Sequence, residues 1–418
     1  MTEYHIPVLE LVLTMANAVD LVSPEVGGHH KRVTYLSSQL ANEMGLSSRD
    51  TFDLVVAAAL HDIGAFSIKE RLATLDFELV SPHAHAEMGY LFLHRFQPFL
   101  RLAEIVRFHH VRWDGGQGAT FNGYQVPASS HILHLADRID VLSLDEEGGI
   151  PNPFKILDRI ETERDRTFKP ETVDAFRTFA AKEYIWLDLR SSNLDRILSD
   201  TLSEQILVLD DENMLSFAQL LAHLVDFRSR YTSTHTAGVA ETARFLAEHV
   251  GMDRSHCRRV RLAGYLHDLG KLAVGREILD KESGLEEQEY GLLKAHPYFT
   301  RRILETIKDF SDIAIWASAH HERPDGTGYP FHERHQPIEA QIIAVADVFT
   351  AITEDRPYRS AMNLDDAAKT LRQMSANCLL DSTLVELALT HQHELDETRR
   401  LAQAEASEQY AAIMAQAV

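Results

Sequence analysis

The sequence predicts an all-α protein in which one helical unit of about 205 residues is used twice. Three observations carry this. Apolar residues recur at i, i+3 and i+4 along most of the chain. Strand signals are scarce, and glycine and proline are concentrated between the periodic segments, as in Gly115–Gly118 and Pro324–Pro330. The third observation is a self-match at a separation of 206 to 211 residues.

Helical spacing places helices at 9–22, 31–43, 49–60, 85–96 and 98–108, with counterparts in the second half. The duplicate register runs through the whole unit. Ala18-Val19-Asp20 aligns with Leu224-Val225-Asp226, His29 with His235, and His61-Asp62-Ile63-Gly64 with His267-Asp268-Leu269-Gly270. His85 aligns with His296, His109-His110 with His320-His321, and Asp137 with Asp347. Phe168–Val173 parallels Leu380–Val385, so the copy extends past the histidines. The expected domains are 1–205 and 206–418. The segment 397–414 reads as a solvated amphipathic helix that either caps the second unit or packs on a partner.

Composition bounds the function. With 45% hydrophobic and 25% charged residues, 418 residues suffice for two cored domains. A net charge of -22 argues against nucleic-acid polymers, whose phosphates need a basic surface. No stretch is long and apolar enough to span a bilayer. Residues 1–19 lack the basic start of a signal peptide, and Cys257 and Cys378 have no metal or redox spacing. The expected location is the cytoplasm, with no membrane partner. A homodimer or a signalling partner stays open. The 23 histidines are many for this length, and their placement explains the number.

The chemistry centres on Leu266–Lys271 and His320–Pro330. His267-Asp268 closes the apolar helical run Val260–Leu266, and Gly270 is placed to end it in a left-handed conformation. Neighbouring residues in mid-helix point about 100° apart. At a helix end they can share a site, with the carboxylate free to bridge two cations. A second histidine pair follows 53 residues on, after Ile313, Ile315 and Trp316 and before a Pro/Gly-rich loop. Four imidazoles and a carboxylate at helix ends suggest a metal site of borderline softness.

His267-Asp268, His320-His321 and Gly328-Tyr329-Pro330 together resemble the bacterial HD-GYP phosphodiesterases, a branch of the HD superfamily that hydrolyses cyclic dinucleotides. The likeness covers roughly 215–390, and the first half is similar to a degenerate copy, giving two tandem HD-type helical domains. The resemblance implies metal ligands at His235, His267, Asp268, His296, His320, His321 and Asp347. It implies two divalent cations, iron or manganese, with zinc, cobalt and nickel also suited to mixed His and carboxylate ligands. Two cations ~3.5–4 Å apart activate a water and clamp a phosphate, and Asp268 is the natural bridge. By the same resemblance Lys271 acts at the substrate phosphate or leaving group. Arg356 and Arg359 grip the second phosphate or a guanine edge, and Gly328 and Tyr329 position the substrate. Some relatives hold a third cation with a Glu four residues before the first metal histidine; Tyr231 stands there, so two are expected.

The first unit keeps a second candidate ligand set, Glu25, His29, His61, Asp62, His85, His109, His110 and Asp137. Ala65 replaces Lys271, Glu146 falls at the position of Arg356, and Gln117-Gly118-Ala119 or Gly123-Tyr124-Gln125 stands for Gly-Tyr-Pro. A metal-loaded domain that senses a nucleotide or a metal, without catalysis, is one reading of this unit, and a degenerate structural or dimerising domain whose histidines are relics is the other. For the whole chain the expected activity is a metal-dependent phosphodiesterase acting on cyclic di-GMP or 3'3'-cyclic GMP-AMP. A non-catalytic nucleotide-sensing module and a mononucleotide phosphohydrolase are the competing expectations.

Overall fold

The computed structural model describes residues 3–21, 28–65, 83–144, 151–202, 206–226, 234–281, 283–355 and 360–416. Glu25, Glu146, Tyr231, Arg356 and Arg359 lie outside the described residues. Helices supply nearly all the regular structure described, and the two sheets have two strands each. Contacts divide the chain into two compact units, one of residues 7–207 and one of 208–416 with the N-terminal residues up to Ile6. The strand Tyr4–Pro7 pairs with Ile206–Leu209, which explains why the chain start belongs to the second unit.

In the first unit, helix His29–Glu43 packs against Ser48–Leu60 and Ala128–Leu144, and His83–Leu93 packs against Leu100–Arg107. In the second unit, His235–Val250 packs against Arg254–Leu266, Ile338–Thr353 and Gln392–Gln416. The C-terminal helix therefore caps its own unit, burying Leu395, Arg399 and Ile413. The duplication is visible in local chemistry. Ser47 and Asp253 cap equivalent helices by accepting from the N–H of Asp50 and of His256, at 3.2 and 2.9 Å. Asp20 bonds His30 Nδ1 at 2.8 Å, and its counterpart Asp226 accepts from Thr236 Oγ1 at 3.1 Å.

These helices put every described ligand candidate near an element end or along one helix. His29 and His235 open their helices, and His61 and His267 cap the ends of theirs. The pairs His109-His110 and His320-His321 follow Leu100–Arg107 and Ser311–Ser318. Asp137 and Asp347 sit inside the long helices Ala128–Leu144 and Ile338–Thr353.

The expectation for Gly270 is corrected. It does not adopt a left-handed conformation; the chain runs on into the 3-10 turn Leu269–Ala273. Glycine is needed for another reason. A Cβ there would stand 1.9 Å from the His296 carbonyl oxygen and 2.6 Å from the Thr300 nitrogen. Its counterpart Gly64 would meet the His85 carbonyl oxygen at 2.1 Å. In both units the missing side chain lets the helix carrying the third histidine close on the His-Asp turn. Thr300 secures the contact in the second unit, accepting from Gly270 N–H at 2.8 Å and donating to the His267 carbonyl at 3.0 Å. Gly270→Ala forces these backbones apart. It is expected to lower the unfolding midpoint by roughly 5 °C or more and to weaken metal retention. Calorimetry with metal analysis checks this; an unchanged midpoint and metal content would show that the contact is not structurally required.

Candidate metal centres

In each unit the carboxylate after the histidine divides its two oxygens between two groups of ligands. In the second unit Asp268 Oδ2 lies 3.3 Å from His267 Nε2, and Oδ1 lies 3.2 Å from His296 Nε2. One group is His235, His267 and Asp268; the other is His296, His320 and His321. Asp347 Oδ1 joins the first group, 3.1 Å from His235 Nε2. In the first unit Asp62 Oδ1 lies 3.2 Å from His85 Nε2, while Oδ2 lies 3.6 Å from His61 Nε2 and 4.0 Å from His29 Nε2. Its groups are Asp62, His85, His109 and His110, and His29, His61 and Asp137. All these residues are buried except His321 and Asp347, which are half-buried.

The imidazoles are held by the nitrogen that faces away from the cluster. His61, His109, His267, His296 and His320 donate from Nδ1 to the carbonyls of Ala58, Val106, Gly264, Leu293 and Ala317, at 2.6–2.8 Å. Each accepting residue is three back in sequence, so the helix end itself orients the ring. That leaves Nε2 facing inward. The Nε2 atoms of His109 and His267 are buried with no hydrogen-bond partner, a costly arrangement unless a cation satisfies them. Converging imidazole nitrogens and carboxylate oxygens, with the far nitrogens fixed by acceptors, fit first-row transition metals. Both clusters meet this test in their inward-facing atoms, although His110 Nδ1 in the first unit is buried with no acceptor among the described residues.

His29 and His235 are oriented by carboxylates instead, and the sequence reading missed both. His29 Nδ1 donates to Asp140 at 2.7 Å, with Arg32 Nε donating to the other Asp140 oxygen at 2.7 Å. His235 Nδ1 donates to Glu354 at 3.0 Å, and Gln403 of the C-terminal helix donates to Glu354 at 2.8 Å. The two carboxylates are not duplicates: Asp140 follows Asp137 by three residues, and Glu354 follows Asp347 by seven. Spacing of three and seven from the ligand, within its helix for Asp140 and at its C-terminal end for Glu354, is the signal that could have found them.

Charge follows this geometry. Burial disfavours the imidazolium of His235, but Glu354 and Asp347 raise its pKa to about 10. His29 is likewise raised to about 9, by Asp137 and Asp140 against burial. Burial pushes His61 down to about 4 and His320 down to about 3, with neighbouring histidines adding to the effect on His320. Burial alone would raise Asp268, but His267 and Lys271 hold its carboxyl well below the ordinary range. Bound cations would take the place of the protons, since imidazole ligates in its neutral form.

Around the clusters the units differ. Lys271 Nζ lies 2.5 Å from Asp268 Oδ2, and the Tyr329 ring packs 4.7 Å from the His321 ring. Tyr329 N–H donates to the His321 carbonyl at 3.2 Å. A Cβ on Gly328 would come within 2.4 Å of the Arg323 nitrogen, so this loop lies tight against the histidine pair. Buried Glu322, another residue missed in the sequence, accepts from Phe331 N–H at 2.7 Å and Glu333 N–H at 3.0 Å, anchoring the loop. In the first unit Ala65 is buried where Lys271 would be, and a short hairpin, Thr120–Phe121 with Tyr124–Gln125, takes the loop's place. Tyr124 sets its exposed ring against Arg107 and Phe108. Arg138 bonds the candidate ligand Asp137 at Oδ2, 2.7 Å away, and is fully buried.

Comparison with known proteins finds likeness in both halves of the chain. The HD-domain family matches residues 216–384 and again residues 26–143. The 3'3'-cGAMP-specific phosphodiesterase 1 of Vibrio cholerae is 28% identical over 405 residues, 94% of this chain and 93% of its own. The 3'3'-cGAMP-specific phosphodiesterase 3 of the same organism is 31% identical over 276 residues, 64% of this chain and 59% of its own. The cyclic di-GMP phosphodiesterase PA4108 of Pseudomonas aeruginosa is 39% identical over 148 residues, 35% of each chain. A crystal structure of a cyclic GMP-AMP specific phosphodiesterase of V. cholerae, V-cGAP3, shares the fold at 21% identity and a TM-score of 0.62, covering 97% of this chain and 98% of its own. Among the described residues no helix is long and apolar enough to cross a membrane. With one matched domain in each half and a Gly-Tyr-Pro loop in the second, the chain belongs to the HD-domain family, in its HD-GYP branch.

Proposed function

We propose that the chain is a metal-dependent phosphodiesterase that hydrolyses a cyclic dinucleotide, cyclic di-GMP or 3'3'-cyclic GMP-AMP, in its second unit. The single observation that carries this is Asp268, whose two oxygens face separate histidine groups beside Lys271 and Tyr329. Near full-length similarity to a 3'3'-cGAMP-specific phosphodiesterase favours the mixed dinucleotide.

His235, His267, Asp268, His296, His320, His321 and Asp347 hold two divalent cations, iron or manganese. Such cations lower the pKa of a bound water and neutralise charge on the phosphoryl oxygens. The chain's own residues do the rest. Backbone carbonyls, Glu354 and Gln403 keep the ligand rings turned inward, so no reorganisation is needed during reaction. The Lys271 ammonium, adjacent to Asp268, is in place to bond a phosphate oxygen or the departing ribose oxygen. Arg356 and Arg359 supply guanidinium groups to the substrate, a bidentate role suited to phosphate or a guanine edge. Tyr329 and Gly328 shape the wall beside His321.

The first unit holds cations through His29, His61, Asp62, His85, His109, His110 and Asp137 and does not hydrolyse. Ala65 carries no charge, and Arg138 is bonded to Asp137 rather than offered to a phosphate. Its role is to support or regulate the second unit.

Four outcomes are expected. Chromatographic assay of the manganese- or iron-loaded protein should show hydrolysis of one or both cyclic dinucleotides, abolished in Asp268→Ala. His61→Ala combined with Asp62→Ala should retain most of that activity; if it is dead, the roles of the units are reversed. Elemental analysis should find about four cations per chain, two per cluster as in two-metal sites, and about half that number in the first-unit double variant; an unchanged count would refute metal binding there. Lys271→Ala should lower turnover ~10²–10³-fold, as loss of one transition-state donor does, with metal content intact. Loss of metal in that variant would make Lys271 structural.

A further inference from the structure

Lys294 lies between two tyrosine rings just outside the second-unit metal ligands. It ends the short helix Glu287–Leu293, two residues before His296. Its Nζ is 4.6 Å from the Tyr290 ring centroid and 5.4 Å from that of Tyr329, whose other neighbour is the His321 ring at 4.7 Å. The side chains thus run from metal ligand to aromatic ring to cation to a second aromatic ring. Among the described residues Lys294 makes no ion pair, although the chain carries 63 acidic against 41 basic residues. Lys271 and Lys281, by contrast, each contact a carboxylate. Tyr290 is 46% exposed, and Leu292 on the same short helix is 58% exposed. An exposed aromatic surface next to an unneutralised ammonium is suited to a ligand with both a flat ring and a negative charge.

A cyclic dinucleotide offers this pairing twice: two phosphodiesters and two purines. A site that holds one phosphate on cations still has to accommodate the other phosphate and the bases. We infer that Lys294 binds the phosphodiester that is not being cleaved and that Tyr290 stacks on a nucleobase, with Tyr329 setting their distance from the metal ligands. The inference rests on the reading of the second unit as a cyclic dinucleotide phosphodiesterase and deepens it. Base stacking on an aromatic side chain contributes through any purine's π-face. The ammonium supplies charge at a site where the surrounding protein is acidic. Together they select a two-phosphate ring over a simple diester.

The test compares 3'3'-cyclic GMP-AMP and cyclic di-GMP with bis(p-nitrophenyl) phosphate, a diester with one phosphate, on the metal-loaded full chain. Lys294→Met keeps the apolar stem between the tyrosines and removes the charge. Its KM for the cyclic dinucleotide should rise tenfold or more, with a smaller change in kcat. The penalty in kcat/KM should exceed that on the single-phosphate diester at least fivefold, and Lys294→Arg should recover most of the loss. Tyr290→Leu should raise KM for the cyclic substrate several-fold, and Tyr290→Phe should not. Equal penalties on both kinds of substrate, an unchanged KM, or loss of metal in Lys294→Met would each overturn the inference. If the unsubstituted protein hydrolyses bis(p-nitrophenyl) phosphate and neither cyclic dinucleotide, the proposed function itself fails, and this inference with it.

Discussion

The structure depends on one carboxylate placed at a helix end between two sets of imidazoles. Asp268 serves both histidine groups only because the helix Arg254–Leu266 stops at His267 and because Gly270 lets the His296 backbone come within contact. A carboxylate in mid-helix would present its oxygens to one side, and any side chain at 270 would hold His296 away. The buried charge is tolerable because the carboxylate itself has cationic and imidazole neighbours. His267, His296 and Lys271 surround Asp268, and the ligand rings are held from behind by carbonyls or carboxylates. Removing one partner from such a network costs more than the partner's own bond, since it strands a buried charge.

The two units show how far a duplicated scaffold can keep its ligands while its surroundings change. Asp62 repeats the geometry of Asp268, and Gly64 repeats the close approach of Gly270. The supporting carboxylate differs, Asp140 with Arg32 in one unit and Glu354 with Gln403 in the other. Both satisfy the same requirement, an acceptor for the outward ring nitrogen of the first histidine, Asp140 from within its helix and Glu354 from the residue just past the end of the equivalent one. The divergence that bears on chemistry lies in the ring of residues around the cluster. Lys271, the Tyr329 loop and Lys294 surround the second cluster, whereas Ala65, a hairpin and an already bonded Arg138 surround the first.

The chain itself determined the all-helical class, the duplication and the residue types of both clusters. Those follow from period, register and chemistry that are local or repeat along the sequence. His267-Asp268 and His320-His321 are legible because adjacent ligands at helix ends leave a mark in the linear pattern. What only the tertiary structure decided is which groups support them. Glu354 reaches His235 across 119 residues, and Gln403 reaches Glu354 from a helix the sequence left unassigned between cap and partner surface. Gly270 looked like a helix terminator and proved to be a contact point, because its requirement comes from a backbone 26 residues away at His296. Lys294 carried no signal at all, since a lysine after a short helix is ordinary until two tyrosines, one of them 35 residues downstream, are folded onto it. Periodicity records which face of a helix is buried; it does not record what that face is buried against, and the selectivity of a site resides in that second fact.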